Sequence, residues 1–409
     1  MVNIAVAQSG GPTCAINASL LGVFSEALKT ETINAVFGCI NGIEGIINDN
    51  LIDLKMFITS NDDMELLKQT PSAVLGSCRY KLKDYKEDDT IYKQIVANLK
   101  KRKIGAFFYI GGNDSMDTAL KLSQYAASIG SDVRVIGVPK TIDNDLCLTD
   151  HTPGFGSAAK YIASTILEIA HDTFSYPVPS VTIVEIMGRD AGWLTSASAL
   201  ARNEYNTAPH LIYLPEAPFD TAQFLADVKE LLKKQNTVII AVSEGIRDKN
   251  GNYISAASQT TDGFGHSHLS GAGKALENFV TSNIDIKVRS IEINVLQRSG
   301  AHISSATDLT ESFELGHHAV ELAEEGVTGC MVTLKRLSSN PYKVAYGHEN
   351  VAKIANEIRS VPREWINEAG NDVLPPMYEY LRPLIIGEPD IRYKNGLPDY
   401  MDISHLTKA

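Results

Sequence analysis

The sequence predicts an α/β protein built from two doubly wound parallel sheets (Rossmann-like domains) with a C-terminal extension. Three observations carry that expectation. Short runs rich in Val and Ile recur between longer amphipathic stretches, which is how buried strands alternate with covering helices. The runs are nearly continuous in apolar residues, so each sheet is to be covered on both faces. At 409 residues the chain is too long for one ordinary core.

In chain order the expected strands are NIAVAQ (3–8), NAVFGCI (34–40), AFFYIGG (106–112), VRVIGV (133–138), SVTIVEIMG (180–188), HLIYLPE (210–216), TVIIAVSEG (237–245) and VRSIEINVL (288–296). Helices are expected between them. SMDTALKLSQYAASIG (115–130) places Met116, Ala119, Leu120 and Leu122 at helical spacing and stops at Gly130. FGSAAKYIASTILEIAHD (155–172) does the same with Ile162, Ile166 and Leu167. TDHTPGFGS (149–157) reads as a linker and SQTTDGFGHSHLSGAGK (258–274) as a long loop. The proline- and charge-rich segment after Asn340 reads as an extension wrapped over the surface.

Composition narrows the function classes. Charged residues are 21% and hydrophobic ones 44%, as in a folded globular chain. A formal net charge of -12 argues against a nucleic-acid binder, and the longest basic run, LKKRK (99–103), reads as a solvated helix end. Five cysteines without a C-x-x-C pair argue against a disulfide framework or zinc knuckle and for a reducing, cytoplasmic setting. MVNIAVAQSGG reads as a first strand, not a leader, and no run approaches the ~18 apolar residues of a membrane helix.

The chemistry concentrates at strand ends. In PKTIDNDL (139–146), Pro139 closes a strand and is followed by Lys140, Thr141, Ile142, Asp143 and Asp145. A carboxylate there can take the proton of an attacking hydroxyl, and a lysine can balance charge on a migrating phosphoryl group. The plain alternative is an Asx-turn with a surface lysine. AQSGGPTCAIN (7–17) and YIGGNDSMDTA (109–119) each place a Gly-Gly turn between strand and helix, where amides meet an anion. Either can equally be a tight turn, with Asp114 or Ser115 as a helix cap. VEIMGRDAGWLT (184–195) offers Gly188 and Arg189, the latter also able to pair with Asp190 or Glu185. AVSEGIRD (241–248) offers Glu244 for sugar hydroxyls or as a cap, and LGSCRYKLKD (75–84) offers Arg79 and Lys81. KVRSIEINVLQRSGAH (287–302) flanks a strand with Arg289 and Arg298. Arginines at element ends in an acidic chain favour an organophosphate. GHSHLSGAGKA (265–275) fails as a Walker A loop. His266, His268, His317 and His318 have no metal-ligand spacing and read as polar surface.

In the order SGG, GSCR, GGND, PKTIDND, MGR, SEG and an arginine-flanked strand, residues 1–330 resemble the phosphofructokinase family, in its pyrophosphate-dependent type. The resemblance implies that fold, with a donor domain at 1–154 plus about 302–350. A sugar-phosphate domain would follow at 155–301 plus about 351–409. It implies Asp143 as the base for the 1-hydroxyl of fructose 6-phosphate, with Thr141, Ile142 and Asp145 beside it. Met187, Gly188, Arg189 and Glu244 would hold the sugar, and Arg289 and Arg298 the 6-phosphate, one of them reaching in from a neighbouring subunit. Gly11 and Arg79 would face the donor, and a Mg²⁺ cofactor would sit near Asn113. A homodimer or homotetramer is implied.

ATP-dependent members have glycine where this chain has Asp114 and Lys140. Those two residues imply inorganic pyrophosphate as donor, because a carboxylate at 114 charges the space an α-phosphate would need. Competing readings are an ATP-dependent kinase and a non-catalytic sugar-phosphate-binding regulatory subunit. Three positions depart from the family pattern: Asn113 replaces an aspartate, Val295 a phosphate-binding His or Tyr, and Ser180 an intersubunit arginine. They leave room for a longer sugar phosphate such as sedoheptulose 7-phosphate.

Overall fold

The computed structural model describes residues 2–254 and 271–402. Its sheet strands, in chain order, are β1 (Val2–Gln8), β2 (Ile33–Cys39), β3 (Leu51–Asp53), β4 (Ile104–Gly111), β5 (Arg134–Pro139), β6 (Ser180–Ile186), β7 (Leu211–Tyr213), β8 (Thr237–Ser243), β9 (Lys287–Glu292), β10 (Cys330–Ser339) and β11 (Tyr342–Asn350). One large sheet has the order β11-β10-β5-β4-β1-β2-β3 and a second β7-β8-β6-β9, while Tyr393–Lys394 and Leu397–Pro398 pair as a separate two-stranded sheet.

Each of the eight runs read from the sequence contains a strand, the sixth only over Leu211–Tyr213 and the eighth only as far as Glu292. In the first sheet β10, β5, β4, β1 and β2 are parallel, and β3 and β11 pair antiparallel at the two edges. The second sheet is wholly parallel. β1, β4, β6 and β8 are buried along most or all of their length because helices cover both faces. The helix Asn113–Ser128 ends before Gly130, whose φ is +64°, and the second expected helix spans Phe155–Phe174.

The segment after Asn340 differs from its expectation. Tyr342–Asn350 completes the first sheet as an edge strand. Beyond it, Val361, Ile366, Val373, Met377, Leu381 and Leu384 are buried in one cluster with Val184 of β6 and Ile239 of β8. Charge and proline dominate this stretch by composition. Its spaced apolar residues still remove enough surface from water to make it part of the core. Most of the loop expected at 258–274, with His266 and His268, lies outside the described residues.

In the first and second sheets the chain starts one strand, lays the next to one side, and returns to the other. The first sheet reverses between β1 and β4, the second at β6. In open α/β sheets the crevice outside the carboxyl ends at such a reversal is where ligands bind.

Candidate active site

A cleft of about 460 Å³ lies where those carboxyl ends meet. β1 delivers Gly10 and Gly11 to it. β4 delivers Asn113 and Asp114, and β5 delivers Lys140, Thr141, Ile142, Asp143 and Asp145. From the second sheet, β6 delivers Met187 and Arg189 and β8 delivers Glu244; Arg79 and Arg298 also line the cleft.

Lys140 is buried at 2% exposure, so the surface-lysine alternative is wrong. Its Nζ donates to the carbonyl of Gly11 at 2.7 Å. Gly10 has φ +75°, and a Cβ there would stand 3.2 Å from that Nζ. A Cβ on Gly11 would stand 3.1 Å from Nη1 of Arg298. The paired glycines therefore let two cations approach the backbone of the turn. Burial lowers the Lys140 ammonium to about 8, although Asp143 pulls in the other direction.

The carboxylates respond oppositely. Burial raises Asp143, while Lys140 opposes the rise. Burial and the neighbouring Asp143 raise Asp145 to about 7. Glu244 is raised to about 7 by burial, although the amide of Gly188 donates to it at 3.3 Å. The amide of Asp143 donates to Thr141 Oγ1 at 3.1 Å, and Asn144 has φ +57°, so the loop turns sharply between the two aspartates. Acidic and basic groups with pKa values pushed toward neutrality mark a site suited to proton transfer.

The arginines separate. Asp190 pairs with Arg247 at 2.6 Å and Glu185 accepts the amides of Gly271 and Gly273, so neither pairs with Arg189. Nε of Arg189 and Nε of Arg298 are buried without a hydrogen-bond partner among the described residues. Buried donors left in that condition fit an anionic ligand. Arg289 does not enter this cleft. It lies toward the amino end of β9, where its guanidinium bonds Thr182, Asp172 and Thr173. Gly188 lies behind the cleft wall, as the donor to Glu244.

The cap alternative for Asp114 and Ser115 also fails, since the helix starts at Asn113 and its cap position is Gly112. Asn113 has an unexpected partner. Its Oδ1 accepts the amide of Asn356 at 2.6 Å and its Nδ2 donates to the carbonyl of Glu357 at 2.5 Å. Asn356 and Ile358 line the cleft, and nothing in their composition signalled it. Lys81 lines it as well, from the same stretch as Arg79.

The match to known proteins agrees with this geometry. Residues 3–323 match the phosphofructokinase family. The chain belongs to that family, and is a phosphotransferase by it. Among relatives, the pyrophosphate–fructose 6-phosphate 1-phosphotransferase of Halomonas elongata is 40% identical over 97% of this chain and 94% of its own length. That of Xanthomonas campestris is 39% identical over 100% and 97%. The crystal structure of a pyrophosphate-dependent phosphofructokinase from Marinobacter aquaeolei superposes with a TM-score of 0.88 at 36% identity, over 98% of this chain and 96% of that one.

For a metal, the donor set is oxygen: Asp114, Asp143 and Asp145 line one cleft. No group of three or more His, Cys, Asp or Glu that could hold a metal by itself occurs among the described residues. Carboxylate oxygens are the donors Mg²⁺ takes, ordinarily one or two of them with substrate phosphates.

Proposed function

We propose that this phosphofructokinase transfers a phosphoryl group reversibly from pyrophosphate to the 1-hydroxyl of fructose 6-phosphate, giving fructose 1,6-bisphosphate and orthophosphate. One observation carries the choice of donor: Lys140 is buried against the Gly10–Gly11 turn in the same cleft as Asp114. A nucleotide would have to share that floor with a lysine chain and a carboxylate. Pyrophosphate is small enough to use the lysine as its counter-charge.

Asp143 accepts the hydroxyl proton as the sugar oxygen bonds to the terminal phosphorus. The bridging P–O bond breaks and its electrons leave with orthophosphate. Lys140, Arg79 and the turn amides stabilise charge on the moving group. Asp114 and Asp145, rather than Asn113, whose carboxamide is engaged by Asn356 and Glu357, would hold Mg²⁺, and the ion would supply further charge neutralisation. Met187, Arg189 and Glu244 orient the sugar, and Arg298 takes its phosphate.

Arg289, turned away from its own cleft, would serve the site of a second subunit in a homodimer or homotetramer. The two sheets would head a donor domain (1–154 with about 302–350) and a sugar-phosphate domain (155–301 with about 351–409). No helix among the described residues is long and apolar enough to cross a membrane, and all five cysteines are free, which supports a cytoplasmic enzyme.

The test is fructose 1,6-bisphosphate formation by purified protein with Mg²⁺, fructose 6-phosphate and either pyrophosphate or ATP. Turnover with pyrophosphate alone is expected. Turnover with ATP alone would overturn the donor assignment, and turnover with neither would overturn the activity.

A further inference from the structure

The segment Asn356–Val361 runs between the carboxyl ends of the two sheets. At its first end it is held by the helix that follows β4. Asn113 grips the backbone of Asn356 and Glu357 as described above, and Asn356 Nδ2 donates to Asp117 Oδ1 at 3.1 Å. In its middle, Ile358 lines the cleft at 51% exposure. The amide of Arg359 then donates to the carbonyl of Asp145 at 2.8 Å. The Arg359 guanidinium binds the carbonyl of Thr149 at 3.0 Å, the carbonyl of Asp150, and the Tyr380 hydroxyl at 2.8 Å. At the far end, Trp193 Nε1 donates to the carbonyl of Arg359 at 2.9 Å. Glu216 Oε1 accepts the amides of both Val361 and Gly192.

This is a strap with defined anchors on both sides of the cleft, and one of its bonds is to the backbone of Asp145. We propose that Asn113 is the latch of this strap, a positioning residue that acts through Asn356–Arg359 to hold Asp145 and the donor side of the cleft in register. A carboxamide suits the task because it accepts and donates at once. A carboxylate could keep the bond to the Asn356 amide but would face the Glu357 carbonyl with a second acceptor. The inference rests on the phosphotransferase reading only for its kinetic readout; its structural readout is independent.

The experiment compares Asn113→Asp, Asn113→Ala and the unaltered chain by amide hydrogen exchange over residues 356–361 and by phosphotransferase kinetics across a Mg²⁺ titration. A latch predicts at least about tenfold faster exchange at residues 356–359 in both variants, with exchange in β1 and β4 unchanged. It also predicts kcat reduced by about 10–10², because small displacements at a reacting centre are costly, with KM for fructose 6-phosphate nearly constant. The Asn113→Asp variant should need no less Mg²⁺ than the unaltered chain. Unchanged exchange in both variants overturns the proposal. So does an Asn113→Asp enzyme that saturates at lower Mg²⁺ with its strap still protected, since Asn113 would then act on the metal. If the unaltered chain transfers no phosphoryl group, the activity fails, and the exchange comparison still decides the latch.

Discussion

At the carboxyl end of the first sheet, Lys140 is 2% exposed and bonded to the turn it serves, and two aspartates stand beside it in one loop. On β9, the edge strand of the second sheet, Arg289 is turned onto Thr182 and Asp172, and beyond that strand Val295 and Leu296 lie 49% and 56% exposed. The first sheet brings its charged groups into the cleft from one loop, whereas Arg289 of the second sheet is tied down outside it. The chemistry that must be pre-organised sits where local chain and backbone can fix it. On the proposed function, recognition of the sugar's phosphate would draw on Arg289 from a second subunit.

The largest effect is expected in the loop that follows β5. Asp143→Ser should leave binding of both substrates nearly intact while kcat falls by about 10²–10⁴. Retained turnover would show that another group is the base, and would break the claim that one loop carries the proton transfer. Next comes the donor. Asp114→Gly together with Lys140→Gly should lower turnover with pyrophosphate by about 10² and allow measurable turnover with ATP. Undiminished use of pyrophosphate would mean that neither residue defines the donor side.

This contrast also explains what could be read from the sequence. That Lys140, Asp143 and Asp145 would share one cleft was legible because they lie within six consecutive residues at a strand end. Glycine pairs after β1 and β4 were legible for the same reason. The strap was not. Asn113 and Asn356 are 243 residues apart, and neither type at either position announces a partner. The tail was misjudged because its apolar residues are diluted by charge. Only the fold gathers Met377, Leu381 and Leu384 against the helix that follows Gly154. Arg289 was grouped with Arg298 because both flank one strand. A strand nevertheless has two ends, and only its carboxyl end faces the cleft.

The two arginines give a sharper test of the second sheet's side. Arg298→Ala should raise KM for fructose 6-phosphate by about tenfold or more, as expected when a charge-assisted phosphate contact is lost. Arg289→Ala should do the same only if it serves another subunit. Mixing the two variants should then restore part of the activity at low fructose 6-phosphate, because one site in a mixed pair carries neither change. No recovery on mixing, with a normal KM in Arg289→Ala alone, would leave Arg289 as a structural tie between β9 and the helix ending at Phe174.

The smallest effect concerns a buried charged cluster at the β10–β11 edge of the first sheet. His151, 2% exposed, lies between Asp150 at 2.8 Å and Glu311 at 2.6 Å; Arg336 pairs with Asp150, and the Tyr342 hydroxyl donates to Glu311. Burial alone would lower this imidazole, but Glu311 and Asp150 overcome it and raise the group to about 9. A folded-state pKa above the unfolded one adds stability in full below about 6.5, and that stability is lost as pH rises through about 9. The loss should be on the order of 1–3 kcal/mol, given the strength of coupling in buried pairs. Lys140 acts in the opposite sense. Its lowered pKa, about 8, makes the fold gain stability from there toward the ordinary lysine range, so the unaltered chain alone would blur the two. The difference between the unaltered chain and Glu311→Gln removes Lys140 from the comparison. Denaturant midpoints at pH 6.5 and 9.5 should converge as pH rises. Parallel midpoints would mean that His151 does not lose its proton between these two pH values.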